Sequence, residues 1–186
     1  MNYNDFLYID EVWRHSWDEE VGTVLPKSVT DEAIGASRNF SPDRMIVHYM
    51  QPHFPSIGKP IGSEMDLDTL NWDWSVWNQL KRGEVDRQTV WESYRENLLC
   101  LLQDIHTLSE NVNADEFVLT ADHGNAVGEH GYFGHSNTPV KEVKNVPKYT
   151  VTTADSGAYE PKTEPTLNEN TAVTIEERLR SLGYVD

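Results

Sequence analysis

The strongest periodicity in the chain runs from about Asp86 to Leu108, where Trp91, Tyr94, Leu98, Leu101, Leu102, Ile105 and Leu108 recur at steps of three and four. That spacing predicts an amphipathic helix. A continuous apolar run lies on each side of it. Met45-Ile46-Val47-His48-Tyr49-Met50 follows the turn-like Ser41-Pro42-Asp43 and stops at Gln51-Pro52, and Phe117-Val118-Leu119-Thr120-Ala121 follows the polar stretch from Ser109 to Asp115. Such runs predict strands buried on both faces, with the proline ending the first of them. The order strand, long connection with a helix, strand predicts an α/β fold with a mostly parallel sheet and flanking helices.

The remaining elements carry weaker patterns. Ser28 followed by Asp31 offers an N-cap for a short helix over Val29 to Ser37, and Lys148 to Thr152 is a third short strand. Residues 1 to 28 mix aromatic and acidic residues with no clean period. The stretch from Gly58 to Gly83 is loop-rich and carries Trp72, Trp74 and Trp77, which either line a pocket or pack. Asp155 to Thr171, rich in Glu, Pro, Asn and Thr, is expected to be a linker. Thr174-Ile175-Glu176-Glu177 is a capping box whose short helix Gly183 closes. The expected organisation is one α/β unit over residues 1–155, then linker and short helix over 156–186.

Charge removes whole classes of partner. With Lys+Arg at 15 and Asp+Glu at 31, the net charge is 15 − 31 = −16, which repels nucleic-acid phosphates and anionic membrane surfaces. Acidity spread along the chain suits solubility in concentrated salt, where counter-ions screen the self-repulsion, and a salt-loving (halophilic archaeal) source is the expectation. At 38% hydrophobic residues the chain can fold. Cys100 has no second cysteine to pair with and lies within the predicted helix, so a structural thiol is expected and no disulfide. No stretch approaches the roughly 20 apolar residues that span a bilayer, and the opening MNYNDFLYIDEVW lacks a basic start and a continuous apolar stretch. A cytoplasmic location is expected.

Candidate chemistry is concentrated after the second apolar run. Thr120-Ala121-Asp122-His123-Gly124-Asn125, then Gly128-Glu129-His130-Gly131 and Gly134-His135, place three histidines and two carboxylates in a loop leaving a strand. Strand ends are where α/β sites are built. Asp122 and His123 can offer an oxygen and an imidazole to one divalent cation, and glycines let the backbone bend around it. His135 stands 135 − 123 = 12 positions after His123, enough chain to loop back to the same centre. An N-cap aspartate among surface histidines would leave the same pattern.

The string TADHGN followed by GEHG resembles the C-terminal metal motif of the sulfatase and phosphonate-hydrolase branch of the alkaline phosphatase superfamily. Val47 to Pro55, ending in Pro52-His53-Phe54-Pro55, is similar to the sulfatase segment in which a strand runs into a P-H-x-P turn, and the closing L-x-x-L-G-Y at Leu179 to Tyr184 recurs in that family. The likeness covers about Met45 to Thr153 and the last helix. It implies a partial sulfatase-type fold, Asp122 and His123 as metal ligands, and a divalent ion, calcium or magnesium with manganese or zinc as alternatives. It also implies His53 facing the oxygens of a sulfate or phosphate ester. Where sulfatases carry a lysine, this chain offers His135, either a substrate contact or a third metal ligand. TADHGN with a later H-S-N-T-P-V is similar as well to the cofactor-independent phosphoglycerate mutases, a sister branch with two manganese ions.

The family's nucleophile, a Ser, Thr or modified Cys on an early strand-to-helix turn, and its early aspartate pair have no counterpart in the sequence, and Cys100 is misplaced for that role. Three expectations follow. The chain is the metal-binding C-terminal portion of an ester hydrolase, inactive alone and completed by an N-terminal half; or it is a non-catalytic remnant that at most binds a divalent cation; or it is a phosphomutase-type relative.

Overall fold

The computed structural model of the chain describes residues 6, 8–61, 75–135 and 139–165. In order these form β1 (Trp17–Asp18), β2 (Thr23–Val24), α1 (Pro26–Phe40), α2 (Val76–Arg82), α3 (Arg87–Ser109), β3 (Ala114–Thr120), β4 (Ala126–Val127), β5 (Phe133–Gly134), α4 (Lys141–Lys144) and β6 (Lys148–Thr153). Trp72, Trp74, the Ser136-Asn137-Thr138 part of H-S-N-T-P-V, the end of the expected linker, the capping box and the L-x-x-L-G-Y ending lie outside the described residues.

The long helix begins where the sequence pattern put it. Asp86 caps α3, its Oδ1 accepting from Thr89 N at 2.9 Å and its Oδ2 from Thr89 Oγ1 at 2.6 Å. Its buried face is narrower than the predicted stripe. Val90, Ser93, Asn97, Leu101, Ile105 and Leu108 are buried, whereas Trp91 is 49% exposed and Leu98 and Leu102 also face outward. The first helix starts earlier than expected, at Pro26 rather than Val29, and Leu25 caps it without a side-chain bond. Proline is well suited to that first position, because its missing N–H would have had no helical partner there.

Helix α3 joins two cores. Near its start, Val90 packs with Phe54, Val76, Trp77, Leu80 and Val127, while near its end Leu108 packs with Ala33 and Ile34 of α1 and with Val112. The 18 positions between Val90 and Leu108 correspond to about 27 Å of helix. Trp77 is thus a packing residue. Residues 155–165 lie along α1: Arg38 donates to both Asp155 oxygens at 2.8 Å and to the Tyr159 carbonyl at 2.7 Å, and Tyr159 donates to Asp31 at 2.6 Å.

The sheet differs from the expected one. The protein mixes helices and strands, but each described sheet has two strands and every pairing is antiparallel: β1 with β2, β3 with β6, and β4 with β5. The apolar run Met45 to Met50 forms no strand, and it is not buried. Ile46 is 86% exposed, and only the Val47 and Tyr49 side reaches the α1 core. The second run, within β3, takes β6 as its partner, with Phe117 opposite Val151 and Leu119 opposite Tyr149. Neither run is buried on both faces, since Val118 in β3 is also exposed: an apolar run states that a segment gains by leaving water, not which surface covers it, which strand pairs with it or in which direction. Among the described residues, no helix is long and apolar enough to cross a membrane.

Candidate functional site

The three site histidines are presented by three separately braced turns. His53 follows the apolar run Met45 to Met50, in a turn closed by its N–H on the Met50 carbonyl at 3.0 Å. The flanking residues anchor that turn. Gln51 donates from Nε2 to the Val24 carbonyl at 2.9 Å, and Phe54 is buried edge-on to Trp77 at 5.5 Å. Asn97, fully buried on α3, donates to the His53 carbonyl at 2.8 Å and accepts from Ile57 N at 3.0 Å.

His123 follows the end of β3. Asp122 Oδ1 accepts the His123 N–H at 2.8 Å, which sets the turn, and Gly124 N donates to the Val143 carbonyl at 2.9 Å. Glycine is required at 124 by packing, since a Cβ there would stand 2.1 Å from the Glu142 carbonyl oxygen. Asn125 then donates to the Tyr94 hydroxyl at 3.1 Å, tying the loop to α3. His135 leaves the β4–β5 hairpin, in which Ala126 opposes Gly134. Gly134 has φ +72 and rests on Trp77, so this position needs glycine both for its backbone and for its closeness to the indole.

These turns bring His53, His123 and His135 together. The His123 and His135 rings stack at 4.1 Å with 20° between their planes, and His53 stands edge-on to them at 5.4 and 5.1 Å. One donor atom of each lies within 4.8 Å of the others, and all three side chains are half-buried. Nδ1 of His123 is 3.0 Å from the Gly124 carbonyl, which can only accept; the N–H therefore sits on Nδ1 and the lone pair on Nε2. That Nε2 is 3.6 Å from Asp122 Oδ2.

A cation fits this donor set. Two ligands each about 2.1 Å from one ion are at most about 4.2 Å apart, which the Asp122–His123 pair satisfies and the trio meets with small side-chain rotations. The carbonyl bond at Nδ1 is the kind of outer contact that fixes a ligand imidazole. Burial pushes the Asp122 carboxyl up, but the His123 N–H and the nearby His123 and His48 imidazoles outweigh it and hold the group below its ordinary value.

Asp122 therefore sits at the rim of a cluster made by the other three expected site residues. His130 stays outside, exposed and at φ +51. Glu129 accepts from Val127 N at 2.6 Å and pairs with Arg87, bracing the hairpin; burial raises its pKa, and these partners outweigh that to leave it lowered. Asn97 is the positioning residue that the sequence pattern passed over. Its signal was a lone amide on the stripe shared by Tyr94, Leu101, Ile105 and Leu108. Among the described residues a second group, Asp10, His15 and Glu32, also has donor atoms close enough for one ion. No family model, curated protein or solved structure matches the chain.

Proposed function

We propose that this chain supplies the metal-binding part of a sulfatase-type active site in the alkaline phosphatase superfamily, cleaving sulfate esters or their phosphate or phosphonate counterparts. The observation that carries the reading is the convergence of His53, His123 and His135. They come from turns 123 − 53 = 70 and 135 − 123 = 12 positions apart, and Asp122 stands beside them. Asp122 and His123 hold the ion, with His135 at hand as a third ligand. A set this rich in imidazole favours zinc or manganese over calcium or magnesium. When bound, the ion neutralises charge on the ester oxygens and lowers the pKa of the attacking group.

The chain's own residues do the rest. The Gly124 carbonyl fixes the His123 tautomer, and Asp122 keeps its charge into acid solution because the His123 N–H is bound to it. His53 faces the same space and, as an imidazolium donor, contacts the ester oxygens or protonates the leaving group, a part that His135 takes only if it is not itself a ligand. The nucleophile belongs to a complementary N-terminal part. Two sets of exposed apolar residues support such a companion: Met45, Ile46 and Met50, and Trp91, Leu98 and Leu102 on α3.

Two measurements test this. Calorimetric titration with zinc, manganese, calcium and magnesium should show an ion whose affinity drops at least tenfold in His123→Ala. Reconstitution with a segment carrying the nucleophile should then hydrolyse p-nitrophenyl sulfate or phosphate in the presence of that ion. Turnover that survives Asp122→Ala removes the ligand assignment, and metal uptake without turnover on either ester leaves the non-catalytic binder in place of the hydrolase.

A further inference from the structure

Asp10, His15 and Glu32 form a cluster on segments that contribute nothing to the three-histidine site. One donor atom from each lies within 4.8 Å of the other two, and His15 Nε2 is 2.9 Å from Asp10 Oδ1. Adjacent ligands about 2.1 Å from one ion are separated by about 3 Å, so this pair already has the right spacing. The other ring nitrogen, Nδ1, is 3.1 Å from Ser16 Oγ, which can accept its proton and leave Nε2 for an ion.

The electrostatics of the cluster are unbalanced. Glu32 is 8% exposed, and the Asp10 carboxylate faces it. Burial first, then the Asp10 charge, push the Glu32 carboxyl up, and the Thr163 hydroxyl and the charge of His15 oppose them without overcoming them. The nearby cations are engaged elsewhere, Arg14 with Glu11 and Lys27 with Asp31 and Tyr159. Asp10 Oδ2 is buried with no hydrogen-bond partner. Two carboxylates held together away from water require either a shared proton or a cation, and an orphaned oxygen leaves a place for the second.

The imidazole at the third corner completes a donor set for a metal ion, and a protonated His15 paired with Asp10 is the rival that the experiment below separates from it. We propose that Asp10, His15 and Glu32 bind one divalent cation of the manganese or zinc class, which ties the segment around residues 10–15 to α1. Two oxygens and one imidazole nitrogen suit those ions. The ion displaces to solvent the proton between His15 and Asp10, gives Asp10 Oδ2 the partner it lacks, and neutralises the pair that otherwise repels. Its role is structural, since it bridges Glu32 in α1 to a segment held by few elements of regular structure.

The test uses the full chain carrying His123→Ala and His135→Ala, so that the hydrolase reading can fail without touching this one. Mn2+ is titrated and free Mn2+ followed by electron paramagnetic resonance, alongside thermal melting with and without the ion. One Mn2+ per chain is expected, with a melting temperature higher by roughly 5–10 °C at about a hundredfold excess over Kd. Asp10→Asn, Glu32→Gln and His15→Ala should each lower the affinity at least tenfold and abolish the gain. His15 is 47% exposed at its side chain, so its variant reports on binding without unfolding the chain. No Mn2+ uptake by the background protein, as a shared proton would give, overturns the proposal, and so does unchanged affinity in His15→Ala.

Discussion

Asn97→Ala perturbs the three-histidine site through a residue that does not itself belong to it. The amide is fully buried and makes two close bonds, to the His53 carbonyl at 2.8 Å and from Ile57 N at 3.0 Å. Truncation takes one hydrogen bond from the His53 carbonyl and one from the Ile57 N–H; each costs about 1–3 kcal/mol when buried, less where water reaches it. These bonds are only part-buried, so the expected loss is about 2–4 kcal/mol. For a chain of this size that lowers the melting temperature by roughly 4–16 °C. The same truncation frees the His53 turn, so metal affinity should drop by about 10- to 100-fold if His53 lines the ion's space. Leu101→Ala is the control: buried one turn further along the same face, it should cost about 2–5 kcal/mol while leaving metal affinity unchanged. Urea unfolding and calorimetric metal titration of both variants decide the matter. The reasoning fails if Asn97→Ala costs under about 1 kcal/mol, or if the two variants bind the ion equally well.

Two further outcomes follow from packing and from charge. Gly124→Ala would press a Cβ to 2.1 Å from the Glu142 carbonyl, so the loop must shift; metal affinity should fall at least tenfold, and a crystal structure with the loop in place and affinity intact would contradict the contact. For Glu32, the folded pKa is raised above the unfolded value, so without metal its ionisation costs stability as pH rises from about 4.3 through the raised folded value. In chelator, Glu32→Gln should therefore match the parent chain below that window and melt higher than it at pH 7; a lower melting temperature at pH 7 would refute this.

The legible parts of this protein were those governed by neighbours in sequence. The start of α3 near Asp86 was legible because its apolar residues recur at steps of three and four, and β6 was visible as Lys148 to Thr152, one residue short of its observed end. Asp122, His123 and His135 could be singled out because their residue types and glycine spacing are local properties. His53 needed the P-H-x-P resemblance, since a histidine after a strand has no signature of its own. The start of α1 was misplaced because Ser28 looked like a cap while Pro26 already lay inside the helix.

What the chain alone determined was therefore the place of α3, most of α1 and the runs that became β3 and β6, and which side chains have ligand chemistry; α2 lay within the stretch expected to be loop-rich. Tertiary structure decided the rest. It turned Asn97 inward and Trp91 outward on one helix, because burial depends on which surfaces other segments cover and not on hydropathy alone. It paired β3 with β6 antiparallel and left Met45 to Met50 without a described partner, because backbone hydrogen bonding carries no record of direction in residue type. It joined Asp10, His15 and Glu32, whose spacing resembles no ligand motif, since a site assembled from distant positions exists only once the chain has folded.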